Sequence, residues 1–169
     1  MFSSFLTSPK IGGQGVETRI MRFEADITMK STPEAIWNAV ADPETWTNWT
    51  RAVYRVKKLS EGPIGVGSRL RITIWFIIPV RLHMTITEFV PGQRVAMEGK
   101  TLLARMTRYY VLKPHDGRTR AIVGGEAAGL LAPLTWLIGQ VLSDEIVQDL
   151  RVKIEGLAPR VRSKDYVTN

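Results

Sequence analysis

Residues 31–49, STPEAIWNAVADPETWTNW, constrain the fold more than any other stretch of the chain. They follow an alternating strand pattern and precede about 75 residues that read almost wholly as strands. From Arg19 to Met29, Met21, Phe23, Ala25, Ile27 and Met29 share one face, and Arg22, Glu24, Asp26 and Thr28 the other. Ser31 or Thr32 can cap a helix, Pro33 suits its first turn, and Glu34 favours its positive end. Asp42-Pro43 opens a second short helix through Trp46.

Strand patterns then recur at Arg51–Leu59, Ser68–Ile77, Val80–Val90, Arg94–Glu98, Leu102–Lys113 and Arg118–Ala128. Pro91-Gly92 and His115-Asp116-Gly117 mark turns between them. Gly124-Gly125 inside the last strand predicts a bulge or a tight bend. From Pro133 to about Leu157, Leu134, Ile138, Val141, Leu142, Ile146, Leu150, Ile154 and Leu157 recur at spacings of three and four, an amphipathic helix. This order lets a sheet curl around a helix and enclose a pocket for an apolar small molecule. Residues 1–18 read as a flexible arm, 19–158 as a single ligand-binding domain and 159–169 as a basic tail.

Composition narrows the function classes. The chain has no cysteine, which excludes disulfides, thiolate catalysis and cysteine-ligated zinc. Its two histidines have no carboxylates at metal-ligand spacing, so no metal and no cofactor are expected. The N-terminus lacks a basic segment before its apolar residues and makes a poor secretory signal. No apolar run reaches the ~18–20 residues that span a bilayer. Together these lead to a cytoplasmic expectation. The net charge of +7 comes from basic residues scattered along strands, a pattern of solvated faces that argues against nucleic acid. The glycines of 12–15 and 62–67 lack the context of a phosphate loop, and no Gly-x-Ser-x-Gly nucleophile occurs.

The segment Ile27–Trp49 resembles the START-like (SRPBCC) superfamily, and most closely its polyketide cyclase/dehydrase and lipid-transport branch. The shared features are a strand, a Pro-Glu-x-Ile-Trp helix, and Asp-Pro-Glu followed by a tryptophan. Gly65–Arg69, Ile86–Pro91 and the C-terminal amphipathic helix agree with it. The resemblance implies an α+β helix-grip fold: a curved seven-stranded antiparallel sheet around a long C-terminal helix, with two short helices after the first strand. It also implies a cavity for a lipid, polyketide or similar ligand. Its motifs are structural and do not choose between carrier and enzyme.

The candidate ligand-binding residues follow from strand faces. Arg108 and Tyr110 alternate with Met106 and Leu112 on one face, and an arginine among apolar neighbours is costly unless it has a task. Glu126 is its candidate partner on the last strand, as a ligand-orienting or a structural ion pair. His83 shares its face with Arg81, Thr85 and Thr87, which favours the polar outside, yet it is the pocket candidate of the two histidines. Trp49, Trp75 and Trp136 are placed near a pocket or its mouth, and Trp37 and Trp46 in the core. Trp75-Phe-Ile-Ile-Pro79 is unusually apolar for a hairpin tip: a lid, a dimer contact or a transient membrane contact through Trp75–Val80. Three functions remain open: binding or carriage of a hydrophobic small molecule, a polyketide cyclase/dehydratase, and lipid handling at a membrane surface. The sparse acid–base inventory favours the first. The oligomeric state, monomer or homodimer, is left open.

Overall fold

The computed structural model describes residues 20–75 and 77–156. The predicted arm before residue 19, Phe76, Leu157 and the basic tail lie outside the described residues. The chain runs β1 (Met21–Met29), α1 (Pro33–Val40), a 3-10 helix (Pro43–Asn48), β2 (Val53–Lys58), β3 (Arg69–Trp75), β4 (Pro79–Val90), β5 (Arg94–Lys100), β6 (Arg105–His115), β7 (Arg118–Ala128) and α2 (Ala132–Glu155). The seven strands form one antiparallel sheet in the order β1-β7-β6-β5-β4-β3-β2. This is the helix-grip arrangement.

Local chemistry sets the element ends. Thr32 caps α1, its hydroxyl accepting from the Ala35 N–H at 3.3 Å, and Asp42 caps the 3-10 helix through the Glu44 N–H at 3.0 Å. The β6–β7 hairpin turns through Asp116 and Gly117, both at positive φ (47° and 71°), as two-residue hairpin loops require. Leu102 and Leu103, expected to begin a strand, instead form the turn before β6.

Register irregularities fall elsewhere than at the predicted glycines. Register slips between Val53 and Arg55 on β2 and between Ile86 and Glu88 on β4. Gly124 and Gly125 pair in unbroken register with both β1 and β6, so they make no bulge. They are needed for close approach. A Cβ at Gly124 would stand 2.7 Å from the Tyr109 hydroxyl, and one at Gly125 would strike the Phe23 ring at 2.7 Å.

The first half of α2 lies against β1 and β7, where Gly139 lets the Phe23 ring touch the helix. Leu142, Ile146 and Leu150 then enter a core shared with Ile36, Val40, Leu70, Ile86 and Val95. Asp149 ties the helix to the start of β2, accepting from the Thr50 hydroxyl (3.0 Å) and the Arg51 N–H (2.9 Å). Trp46 and Trp49 close the α1 end, their indole N–H groups donating to the Val40 and Ala39 carbonyls. No helix among the described residues is long and apolar enough to cross a membrane.

Candidate functional site

Between the concave face of the sheet and α2 lies a cavity of about 310 Å³. That volume falls at the small end of ligand pockets, about 300–1,000 Å³. Strand parity decides what faces it. Ile72 and Ile74 of β3, Leu82 and Met84 of β4 and Met97 of β5 supply an apolar wall, and Ile138, Leu142 and Ile146 of α2 supply the roof. Trp46 forms part of the inner end, its ring 5.2 Å from that of Tyr110.

Into this apolar space β6 delivers Met106, Arg108 and Tyr110. Arg108 is only 8% exposed, and its buried Nη2 has no hydrogen-bond partner among the described residues. What surrounds the guanidinium is aromatic: the Phe23 ring centroid lies 5.8 Å away and that of Tyr110 5.9 Å. Cation–π attraction stabilises the charge there by about 0.5–2 kcal/mol per ring. It supplies no acceptor for the N–H groups. Buried polar groups are nearly always hydrogen-bonded, so a charged donor facing a cavity is the feature of this structure that most calls for a function.

The expected Arg108–Glu126 pair does not form. Arg108 sits opposite Gly125 in the β6–β7 register, and Glu126 sits opposite Thr107, one residue on and therefore on the other face. Glu126 instead receives Arg22 on the convex side, at 2.6 Å. Beside it, the Tyr109 hydroxyl donates to Glu24 at 2.6 Å, and partial burial with this bond pushes the phenol up to about 12. Tyr109 is thereby an outer-face residue and Tyr110 an inner one.

The remaining candidates separate in the same way. His83 reaches the cavity edge by its position on β4, but its imidazole is exposed, its Nε2 accepting from Arg71 Nε at 3.1 Å on the convex face. Trp136 packs beside Phe23 and Ala127 and donates to the Arg22 carbonyl at 2.8 Å, away from the cavity lining. Trp49 is held at the α1 end by its bond to Ala39. Trp75 ends β3 more than half exposed, on the convex parity of Arg69 and Arg71. Trp46, expected only as core, does line the cavity. The inward parity of Met97, opposite Arg108 on β5, was the readable signal that reasoning from single polar residues missed.

Acid–base groups are scarce here. Among the described lining residues there is no carboxylate, and no cluster of three His, Asp or Glu fit to hold a metal occurs among the described residues.

A curved sheet gripping a helix, with a largely apolar cavity between them, defines the class of protein. The chain belongs to the family described as polyketide cyclase / dehydrase and lipid transport, whose model matches residues 21–162. Uncharacterized proteins of Mycobacterium tuberculosis and Mycobacterium bovis are 26% identical over 138 residues, 79% of this chain and 74% of theirs. Among solved structures, the Zhui aromatase/cyclase from Streptomyces sp. R1128 superposes with a TM-score of 0.71 at 12% identity, covering 81% of this chain and 94% of that one. A START superfamily protein from Mycobacterium smegmatis gives a TM-score of 0.67 at 13% identity, covering 81% and 99%. Ara h 8.0201 gives 0.67 at 13%, covering 82% and 100%. These likenesses show the fold.

Proposed function

We propose that this chain binds and carries a hydrophobic small molecule (a lipid, polyketide or aromatic compound) whose carbonyl or carboxylate oxygen is met by Arg108. The observation that carries the reading is the buried Arg108 Nη2, without a protein acceptor among the described residues, in a cavity whose lining is mostly apolar. An oxygen acceptor on the ligand would satisfy the donor and remove the cost of its burial. Tyr110 and Trp46 offer the flat aromatic surface for the ligand body.

Carriage is supported over a cyclase or dehydratase reaction because general acid–base chemistry needs a titratable group within reach of the substrate. The one histidine at the cavity edge turns its ring outward, the described lining residues include no Asp or Glu, and the titratable lining groups that remain, Tyr110 and Lys100, have no carboxylate or imidazole beside them in the lining to share a proton. A cytoplasmic location is part of the proposal.

Native mass spectrometry of the purified protein tests it. A co-purified compound bearing a carbonyl or carboxylate is expected, together with its loss from Arg108→Leu. A dissociation constant for the recovered compound that is the same in both proteins removes Arg108 from the site.

A further inference from the structure

The cavity opens at one end of the sheet, and the register shows which turns gather there. Trp75 pairs with Pro79 to close β3–β4, Lys100 pairs with Arg105 to close β5–β6, and Arg105 also pairs with Ala128 at the end of β7. Thr85 opposite Glu98 and Val90 opposite Arg94 put the half of β4 that starts at Pro79 on the side where β5 ends. Three tips, β3–β4, β5–β6 and β7–α2, therefore meet at the same end. The cavity lining includes Val80, Thr101, Ala104, Leu131 and Leu134 from these segments, which makes them its mouth.

Each tip carries large apolar side chains in the open. Ile77 is 79% exposed, Leu102 99% and Leu130 78%, with Trp75, Ile78 and Leu134 each more than half exposed. Single exposed apolar residues are ordinary, but a set from three separate turns around one opening marks an interaction site. Behind the β3–β4 tip the charge is one-signed, whereas behind the other two Glu98 and Glu126 are paired with Lys100, Arg105 and Arg22. β2, β3 and residues 79–87 of β4 contain no Asp or Glu. Their exposed positions hold Arg55, Lys57, Arg69, Arg71 and Arg81. Arg81 stands two residues from Pro79, roughly 7 Å along the strand.

We propose that the mouth end docks on an anionic lipid bilayer, with the three apolar tips entering the interface and the basic face of β2–β4 lying against lipid phosphates. Charge complementarity selects this occupant: basic residues backing an apolar patch are the signature of binding to anionic lipid surfaces. A nucleic acid would engage the arginines and leave Ile77, Leu102 and Leu130 in water. A bilayer accepts tips from unconnected turns without a shaped groove. Docked this way, the cavity faces the lipid phase, and a hydrophobic guest enters or leaves without crossing water.

Vesicle flotation of the full chain tests the proposal, using phosphatidylcholine alone and phosphatidylcholine mixed with phosphatidylglycerol. Binding is expected to the anionic vesicles, several-fold weaker to the neutral ones, and to fall as salt rises. Ile77→Ser with Leu102→Ser, both on exposed turns, should lower the partition coefficient at least about tenfold. Arg55→Ser with Arg81→Ser should reduce binding to the anionic vesicles only. No binding to either vesicle, or equal binding by wild type and the Ile77→Ser/Leu102→Ser variant, overturns the proposal. So does tighter binding to a DNA duplex that depends on Arg55 and Arg81 alone.

Discussion

Replacing Arg108 by methionine separates a structural arginine from a ligand anchor. Methionine keeps an unbranched stem between the Phe23 and Tyr110 rings and removes the charge. In the ligand-free protein two effects oppose. Relief of the unsatisfied buried donor stabilises by about 1–3 kcal/mol. Loss of the two cation–π contacts, at 5.8 and 5.9 Å, costs about 0.5–2 kcal/mol each. A sulfur–aromatic contact returns about 0.3–1.5 kcal/mol of that. The mid-range values nearly cancel, so the expected stability change is about 1 kcal/mol or less, a shift of roughly 2–4 °C in Tm for a chain of this size, and the extremes of these ranges reach about 3 kcal/mol either way. Binding responds differently, because a hydrogen bond to a charged group contributes about 1.5–3 kcal/mol. Its loss weakens an acid ligand by roughly 10- to 150-fold. Urea denaturation gives the first quantity, and calorimetric titration with decanoate and with decanol gives the second. Decanoate should lose its advantage over decanol in the variant. If the ligand-free variant is less stable by more than about 3 kcal/mol, or binds decanoate as wild type does, Arg108 serves the fold and the reasoning fails.

Two further perturbations test the packing and the electrostatics around the site. An alanine Cβ at Gly139 would stand 2.6–2.8 Å from three atoms of the Phe23 ring. Helix propensity favours alanine by about 1 kcal/mol and overpacking costs about 1–3 kcal/mol, so Gly139→Ala should lower stability modestly. The same change made in a Phe23→Leu background should be neutral or stabilising in urea denaturation; a stabilising Gly139→Ala in the wild type would contradict the close contact. The Tyr109 phenol titrates near 12 in the folded protein against 10.0 ordinarily, so folding favours its neutral form. Its contribution to stability is complete below pH 10 and is lost as pH rises to about 12, because the unfolded chain releases that proton first. Wild type should thus lose stability relative to Tyr109→Phe across that window in thermal melts, and parallel curves would refute the upward shift that burial and the Glu24 bond together produce.

The fold was legible because each element carried its own signal. Period-two alternation marked β1, β3 and β4; Thr32, Pro33 and Asp42 marked the helix starts; and the spacing from Leu142 to Ile154 marked the buried side of α2. Alternation also put Arg108 and Tyr110 on one face before any pairing was known. It could not say which strand partners that face meets, because register depends on turn geometry far along the chain. Glu126 illustrates the point. Two residues from Gly124 and one from Gly125, it reads equally well as a neighbour of Arg108 until the hairpin at Asp116-Gly117 fixes Arg108 opposite Gly125. One residue of register then sends the carboxylate to Arg22 outside and leaves the guanidinium inside with aromatic rings.

That single step of parity has a functional consequence. Had Glu126 faced inward, Arg108 would be a compensated buried ion pair, and replacing one partner would be strongly destabilising, by about 3–5 kcal/mol. With Glu126 outside, the proposed binding role of Arg108 has an acid guest supply the carboxylate that Glu126 does not. A double substitution that exchanges the parities, Thr107→Arg with Arg108→Thr, moves the charge to the convex face beside Glu126 and keeps the residue inventory of β6 unchanged. Folding should persist, since Thr107 is only half-buried and the new arginine gains an acceptor. Selectivity for decanoate over decanol should vanish. Retention of that selectivity by the exchanged protein would show that acid recognition never depended on a positive charge inside the cavity.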